Sequence, residues 1–219
     1  MMIDFNRLRT LFFFVFLQSV FITLLPAQTQ KVIDTDFSKG QLMNIQKIKY
    51  SDLVKFHGHS CDGLVEGMQA LQLGLKVLYP NGIVDRTNTR VVSKSSPCLT
   101  DAANYLTGGR YQYNTFYVDN HIPGMYIIQR IDNHKTVIVN RKENVKPKMI
   151  DIIGNQAIAK ELSYTQLRKL KQLEDDYLKK LKRSNPQSNF IVEEVVDYKW
   201  ESQLKSSFVK TDVINKDVK

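Results

Sequence analysis

The chain has 219 residues, 42% of them hydrophobic and 24% charged, with a formal net charge of +9. That length suits one folded domain of ordinary size with short extensions, and the apolar content excludes a disordered chain. The lysines are scattered over predicted helix faces and a tail, with no interleaved aromatic patch or recognition motif, so nucleic acid is excluded as the expected partner.

Taken in chain order, Arg7 and Arg9 precede an apolar run from Leu11 to Leu25 that ends at Pro26-Ala27. Gln18, Ser19 and Thr23 interrupt the run, whereas a membrane span needs about 20 apolar residues without interruption. The pattern is that of a signal peptide over 1–27, cleaved after Ala27 although Leu25 is an unusual residue for that position. A periplasmic or secreted location follows, with a soluble mature protein, no stable membrane span after cleavage, and thiols free to oxidise.

Residues 28–47 lack periodicity and read as a spacer, with folding expected to begin near Tyr50. A short helical turn is predicted over 51–56 and runs into His57-Gly58-His59-Ser60-Cys61-Asp62-Gly63. Leu64, Met68, Leu71, Leu75 and Leu78 then recur at alternating spacings of four and three, one face of a helix capped by Asp62 and ended by Tyr79-Pro80-Asn81-Gly82.

Residues 89–94 read as a strand, and Ser96-Pro97 as the N-cap and first turn of a second helix that carries Cys98 and stops at Gly108-Gly109. Strands are predicted over 113–118, 125–131 and 136–140, the last two as a hairpin. A helix over 164–183 ends at Asn185-Pro186, and a strand follows at 190–196. The expected architecture is α+β, a small mixed sheet backed by helices, occupying 48–198, with a polar basic tail over 199–219 that is mobile or loosely docked.

The chemistry gathers at His57, His59 and Cys61, three transition-metal donors within five residues around a flexible glycine. With Cys98 as a fourth ligand, two thiolates and two imidazoles would neutralise a divalent ion, zinc or another transition metal. Cys98 in a helical first turn is expected to be the more activated thiol, because free N–H groups and the helix dipole favour thiolate. Asp62, Lys94, Asp101 and Tyr105 are candidates for supporting or acid–base roles, and His121 and His134, in predicted loops, are read as ordinary surface residues. No catalytic residue is assigned.

Through Phe56-His57-Gly58-His59-Ser60-Cys61-Asp62-Gly63 and then Cys98-Leu99-Thr100-Asp101-Ala102-Ala103-Asn104-Tyr105-Leu106-Thr107-Gly108, the chain resembles the FmdE family of formylmethanofuran dehydrogenase components, over about 48–145. The resemblance implies a zinc-binding α+β domain, commonly a homodimer, with ligands at His57, His59, Cys61 and Cys98. The chain departs from the family pattern at Asp62 in place of proline, at Gly109 in place of a further cysteine, and around Tyr111-Gln112 in place of a Gly-Lys pair.

Two other readings stay open. Two cysteines in an exported protein commonly form a disulfide, here Cys61–Cys98, that would hold a non-catalytic binding module together. The same pair could instead cycle between dithiol and disulfide. A metal protein with an open coordination position would in addition accept a small-molecule ligand.

Overall fold

The computed structural model describes residues 29–34, 44–201 and 203. The predicted signal peptide, 1–27, and residues 204–219 of the tail lie outside the described residues. The chain runs β1 (Thr29–Ile33), β2 (Gln46–Lys49), α1 (Tyr50–His57), α2 (Asp62–Leu78), β3 (Ile83–Asp85), β4 (Thr89–Ser93) and α3 (Pro97–Thr107). It continues through a 3-10 turn at Tyr111–Tyr113, β5 (Phe116–Val118), β6 (Tyr126–Arg130), β7 (Thr136–Arg141), α4 (Lys148–Ile158), α5 (Tyr164–Arg183), α6 (Pro186–Asn189) and β8 (Phe190–Val195).

The class is α+β, as expected. Five strands form one mixed sheet in the order β5-β4-β6-β7-β8, and β2-β1-β3 form a second, smaller one. In the large sheet β4 and β5 run parallel and the other pairs antiparallel, and β6–β7 is the predicted hairpin, with Ile127 opposite Ile138. The segment read as a spacer holds strands at both its ends: β1 pairs antiparallel with β2 and parallel with β3, and Val32 is buried in the main core. Two short pairings to distant strands carry no signal of their own in a polar stretch, so local periodicity misses them.

α2 is the central element. Its predicted face is buried, but so are Val65, Glu66, Gln69 and Ala70 on other sides, because the helix is wrapped by the sheet, α3 and α5. Strand alternation divides the large sheet cleanly. Val91, Ile128, Val137 and Val139 face α2 in the main core, whereas Val92, Ile127 and Ile138 face away and are packed by Tyr117, Tyr198 and Trp200. The described start of the tail is therefore docked: Trp200 lies edge-on to Tyr117 at 4.9 Å, under the Arg90 guanidinium at 4.7 Å, and its indole N–H donates to Asn114 at 3.4 Å. The polar composition of the tail hides these few aromatic anchors. Among the described residues, no helix is long and apolar enough to cross a membrane.

Candidate metal centre

Three helix ends converge on one spot. α1 ends at Gly58, whose φ of +98° lies in the left-handed region and whose N–H closes on the Val54 carbonyl at 2.8 Å. Such a conformation strains any residue with a Cβ, and it turns the chain sharply between His57 and Cys61. The turn is braced by the Tyr50 and Ser60 hydroxyls, 2.9 Å apart.

Cys61, rather than the predicted Asp62, is the N-cap of α2: its sulfur accepts the Leu64 N–H at 3.4 Å. Asp62 is the first helical residue and is itself buried. A sulfur is an uncommon cap, and the propensity for carboxylate caps favours Asp62 by sequence alone. On the other side, Ser96 caps α3 by accepting the Leu99 N–H and Pro97 opens the first turn, as predicted, which places Cys98. Gly63 makes the approach of Cys98 sterically allowed, since a Cβ there would sit 2.9 Å from its sulfur.

The result is a compact donor set. His57, His59 and Cys61 offer ligand atoms all within 4.8 Å of one another, close enough to hold one metal ion. The Cys98 sulfur lies 3.4 Å from that of Cys61 and 3.7 Å from His57 Nε2, and Cys61 is likewise 3.7 Å from His57 Nε2. Metal–sulfur and metal–nitrogen bonds of about 2.3 and 2.0 Å at tetrahedral angles require edges of about 3.8 Å between sulfurs and 3.5 Å between sulfur and nitrogen. The three atoms match those edges within a few tenths of an ångström. His59 is exposed and its ring lies tilted over that of His57, 4.6 Å between centroids.

Asp101 completes the arrangement from α3. Its Oδ2 is 2.7 Å from His57 Nδ1, and the His57 side chain is only 5% exposed. A proton held on Nδ1 by this contact leaves the Nε2 lone pair aimed at the two sulfurs, the usual orientation of a metal-bound imidazole backed by a carboxylate. The sequence contained the signal, since Asp101 follows Cys98 by three residues and so shares its helix face.

The electrostatics reverse one expectation. The hydrogen bond shared with Cys98 lowers the Cys61 thiol to about 6 against an opposing effect of burial, helped by the Leu64 N–H and by His57. The same shared contact, together with burial, raises Cys98. Cys61 is therefore held toward its thiolate, by the contact between the sulfurs and by the Leu64 N–H at the helix end. Burial disfavours the His57 imidazolium, but Asp101 and Cys61 outweigh it and His57 is raised.

The remaining candidates lie elsewhere or act indirectly. Tyr105 packs on Phe56 at 5.1 Å between centroids, beside the centre. Lys94 follows β4, its N–H bonded to the Met125 carbonyl. His121 is paired with Asp119 on the surface and His134 turns the β6–β7 hairpin with a positive φ. A network that sequence reasoning missed lies further along α2, where buried Glu66 accepts from Arg141 at 2.7 Å and from Tyr177 at 3.1 Å. Both cysteines are free thiols in this structure.

A family model described as "FmdE, Molybdenum formylmethanofuran dehydrogenase operon" matches residues 56–191, a stretch that contains His57, His59, Cys61, Cys98 and Asp101. Among solved structures the chain is similar to an FmdE-like protein of the tungsten formylmethanofuran dehydrogenase type from Syntrophus aciditrophicus, with 17% identity and a TM-score of 0.42 over 74% of this chain and 81% of that one. No curated protein matches the chain.

Proposed function

The chain belongs to the FmdE family, and from that premise we propose that it binds one divalent transition-metal ion, zinc by preference, through His57, Cys61 and Cys98, with His59 as the outer ligand. The observation that carries this reading is the triangle of two sulfurs and one imidazole nitrogen with tetrahedral edge lengths, its imidazole held by Asp101. Two thiolates neutralise a dication, and mixed sulfur and nitrogen donors suit zinc over the oxygen-seeking cations. Bound there, the ion would supply either a cross-link between three helix ends or Lewis acidity toward a small molecule that displaces His59.

Purified without added metal, the chain should carry close to one zinc ion as read by plasma mass spectrometry, and its two thiols should react only after chelation. A metal-free protein whose mass reveals a Cys61–Cys98 disulfide sinks the proposal and leaves the disulfide-braced module or the redox protein. Such a bond would need the sulfurs to close from 3.4 Å to about 2.05 Å.

Export belongs to the same proposal and rests on the basic and apolar pattern of 1–27. The N-terminal mass of the protein recovered from cells decides it: a start near Gln28 in the soluble envelope fraction supports export, and an intact leader in the membrane fraction overturns cleavage. A homodimer is proposed from the family resemblance and is read by light scattering.

A further inference from the structure

α5 begins well ahead of the helix it packs on. Its Leu181 carbonyl accepts from Gln69 and its Tyr177 hydroxyl donates to Glu66, so the two helices run in the same direction and Asp62, the first residue of α2, stands level with about residue 173. The nine residues from there back to Tyr164, about 14 Å of helix, have no turn of α2 beside them. α4 runs alongside in the opposite sense, since Lys180 reaches the Val145 carbonyl at its start, so α4 and α5 form a helical hairpin with its tip at 158–164. The tip projects: every residue from Ile158 to Lys169 is exposed except Leu162, which is half-buried.

A projecting tip is expected to be polar, and this one is not. Of the eleven large hydrophobic side chains exposed among the described residues, five lie on the hairpin, Met149, Ile152, Ile158, Tyr164 and Leu167, and the two that frame the tip are the barest of them, Ile158 at 82% and Tyr164 at 73%. Apolar groups gathered in one exposed place mark a surface that meets something. The charge beside them is one-sided. Lys160, Arg168 and Lys169 stand against the single carboxylate of Glu161, and among the described residues none of the three cations is paired with an acid. Arg168 instead lies over the Tyr164 ring at 5.9 Å and donates to its hydroxyl at 3.4 Å, which keeps a cation beside the exposed ring.

Shape and charge together select the occupant. A second copy meeting this tip about a twofold axis would set Lys160, Arg168 and Lys169 against their own counterparts. A specific protein contact takes about 800 Å² from each partner, whereas a narrow tip offers a few protruding side chains. A bilayer surface needs no complementary pocket: the headgroup layer closes around protruding apolar groups, holds a tyrosine at its own level, and presents phosphates to flanking cations.

We propose that the α4–α5 hairpin docks the protein on an anionic lipid surface, with Ile158, Tyr164 and Leu167 entering the headgroup layer and Lys160, Arg168 and Lys169 meeting lipid phosphates. The proposal rests neither on the metal centre nor on the fate of residues 1–27. A local probe tests it in the full chain: Tyr164→Trp, titrated with vesicles brominated on the acyl chains and made of phosphatidylcholine, alone or with about a third phosphatidylglycerol. Its emission should be quenched by the anionic vesicles at low salt, at about a tenth of the lipid concentration that neutral vesicles require, and high salt should reverse the effect. The parent chain, whose one tryptophan is docked on the sheet, should not be quenched. Adding Ile158→Asp, or Lys160→Glu with Lys169→Glu, should raise the lipid requirement about tenfold. These positions are exposed, so helical dichroism should be unchanged. No quenching of Tyr164→Trp, equal quenching by neutral vesicles, or quenching undiminished by Ile158→Asp each overturns the proposal. So does self-association without vesicles that Ile158→Asp abolishes, which would make the tip a contact between copies. Cys98→Ser should dock like the parent, so failure of the zinc reading leaves this test intact.

Discussion

Two clusters of ionisable side chains are carried by α2, about a turn and a half apart, and they are built on opposite plans. At Glu66 the charge is answered within the fold: Arg141 from β7 and Tyr177 from α5 both bond the same carboxylate oxygen, and the Glu66 side chain is 6% exposed. At Cys61 the neighbours are another sulfur and an imidazole nitrogen, each an electron-pair donor of the same kind. Apart from the hydrogen bond that the two sulfurs share and the pairing of His57 with Cys61, little mutual attraction gathers them. They are held by backbone devices, the left-handed Gly58, the space left at Gly63 and the N–H of Leu64. A cluster that satisfies itself is read as structure, whereas one assembled from like donors by the backbone is one that could hold a metal ion.

The largest effect should separate the two plans most sharply. Replacing Cys98 by Ser should abolish the stabilisation linked to zinc, about 4 kcal/mol when free metal stands a thousandfold above its dissociation constant. Melting curves with and without chelator measure it: the wild type should shift and the variant should not. Glu66→Ala should cost about 3 kcal/mol by removing the buried carboxylate that both half-buried Arg141 and buried Tyr177 bond. That loss should be the same with and without chelator, and a chelator-dependent loss would mean that the two clusters are coupled.

A smaller effect is expected at Asp101. Asp101→Ala removes the acceptor of the His57 Nδ1 proton and should weaken zinc about 10- to 100-fold, measured by competition with a chromophoric chelator, while the metal-free melting temperature barely changes. The pH dependence of the same competition follows from the thiols. With Cys61 lowered to about 6, it is already a thiolate at pH 7 to 8, whereas Cys98 is raised and gives up its proton only to the metal. Affinity should therefore fall about tenfold per unit downward from pH 8, more steeply once the raised His57 takes up its proton, and more steeply again below about 6 as Cys61 does. A flat profile over that range would contradict the assignment of Cys98 as a ligand. Least of all, His121→Ala should change neither zinc content nor stability by more than about 0.5 kcal/mol.

Much of this was legible in the chain itself. The helix over 164–183, the Ser96-Pro97 start of α3 and the β6–β7 hairpin each rest on local chemistry, and all stand where the pattern placed them. The proximity of Cys98 to the His57–Cys61 segment is a tertiary fact, expected in advance from the charge balance of two thiolates against a dication, from the pairing of two exported cysteines and from the resemblance to a family. What local reasoning misjudged depended on neighbours from elsewhere. Cys61 displaced Asp62 as the cap, and the Leu64 N–H that its sulfur accepts helps to lower its thiol, an effect of a helix start that was expected at Cys98. β1 and β2 escaped notice because their partners, not their own pattern, make them strands.

The docking of Trp200 turns the protein into its own optical reporter. It is the single tryptophan of the chain, wedged against Tyr117 and beneath Arg90 on the sheet face that looks away from α2. Its emission therefore records whether the C-terminal segment is seated, while the far-ultraviolet dichroism of the helices records the rest of the fold. If the red shift of tryptophan emission on heating precedes the loss of helical signal, the segment peels away as a separate unit before the domain melts. Coincident transitions would instead make the last described residues part of the cooperative core.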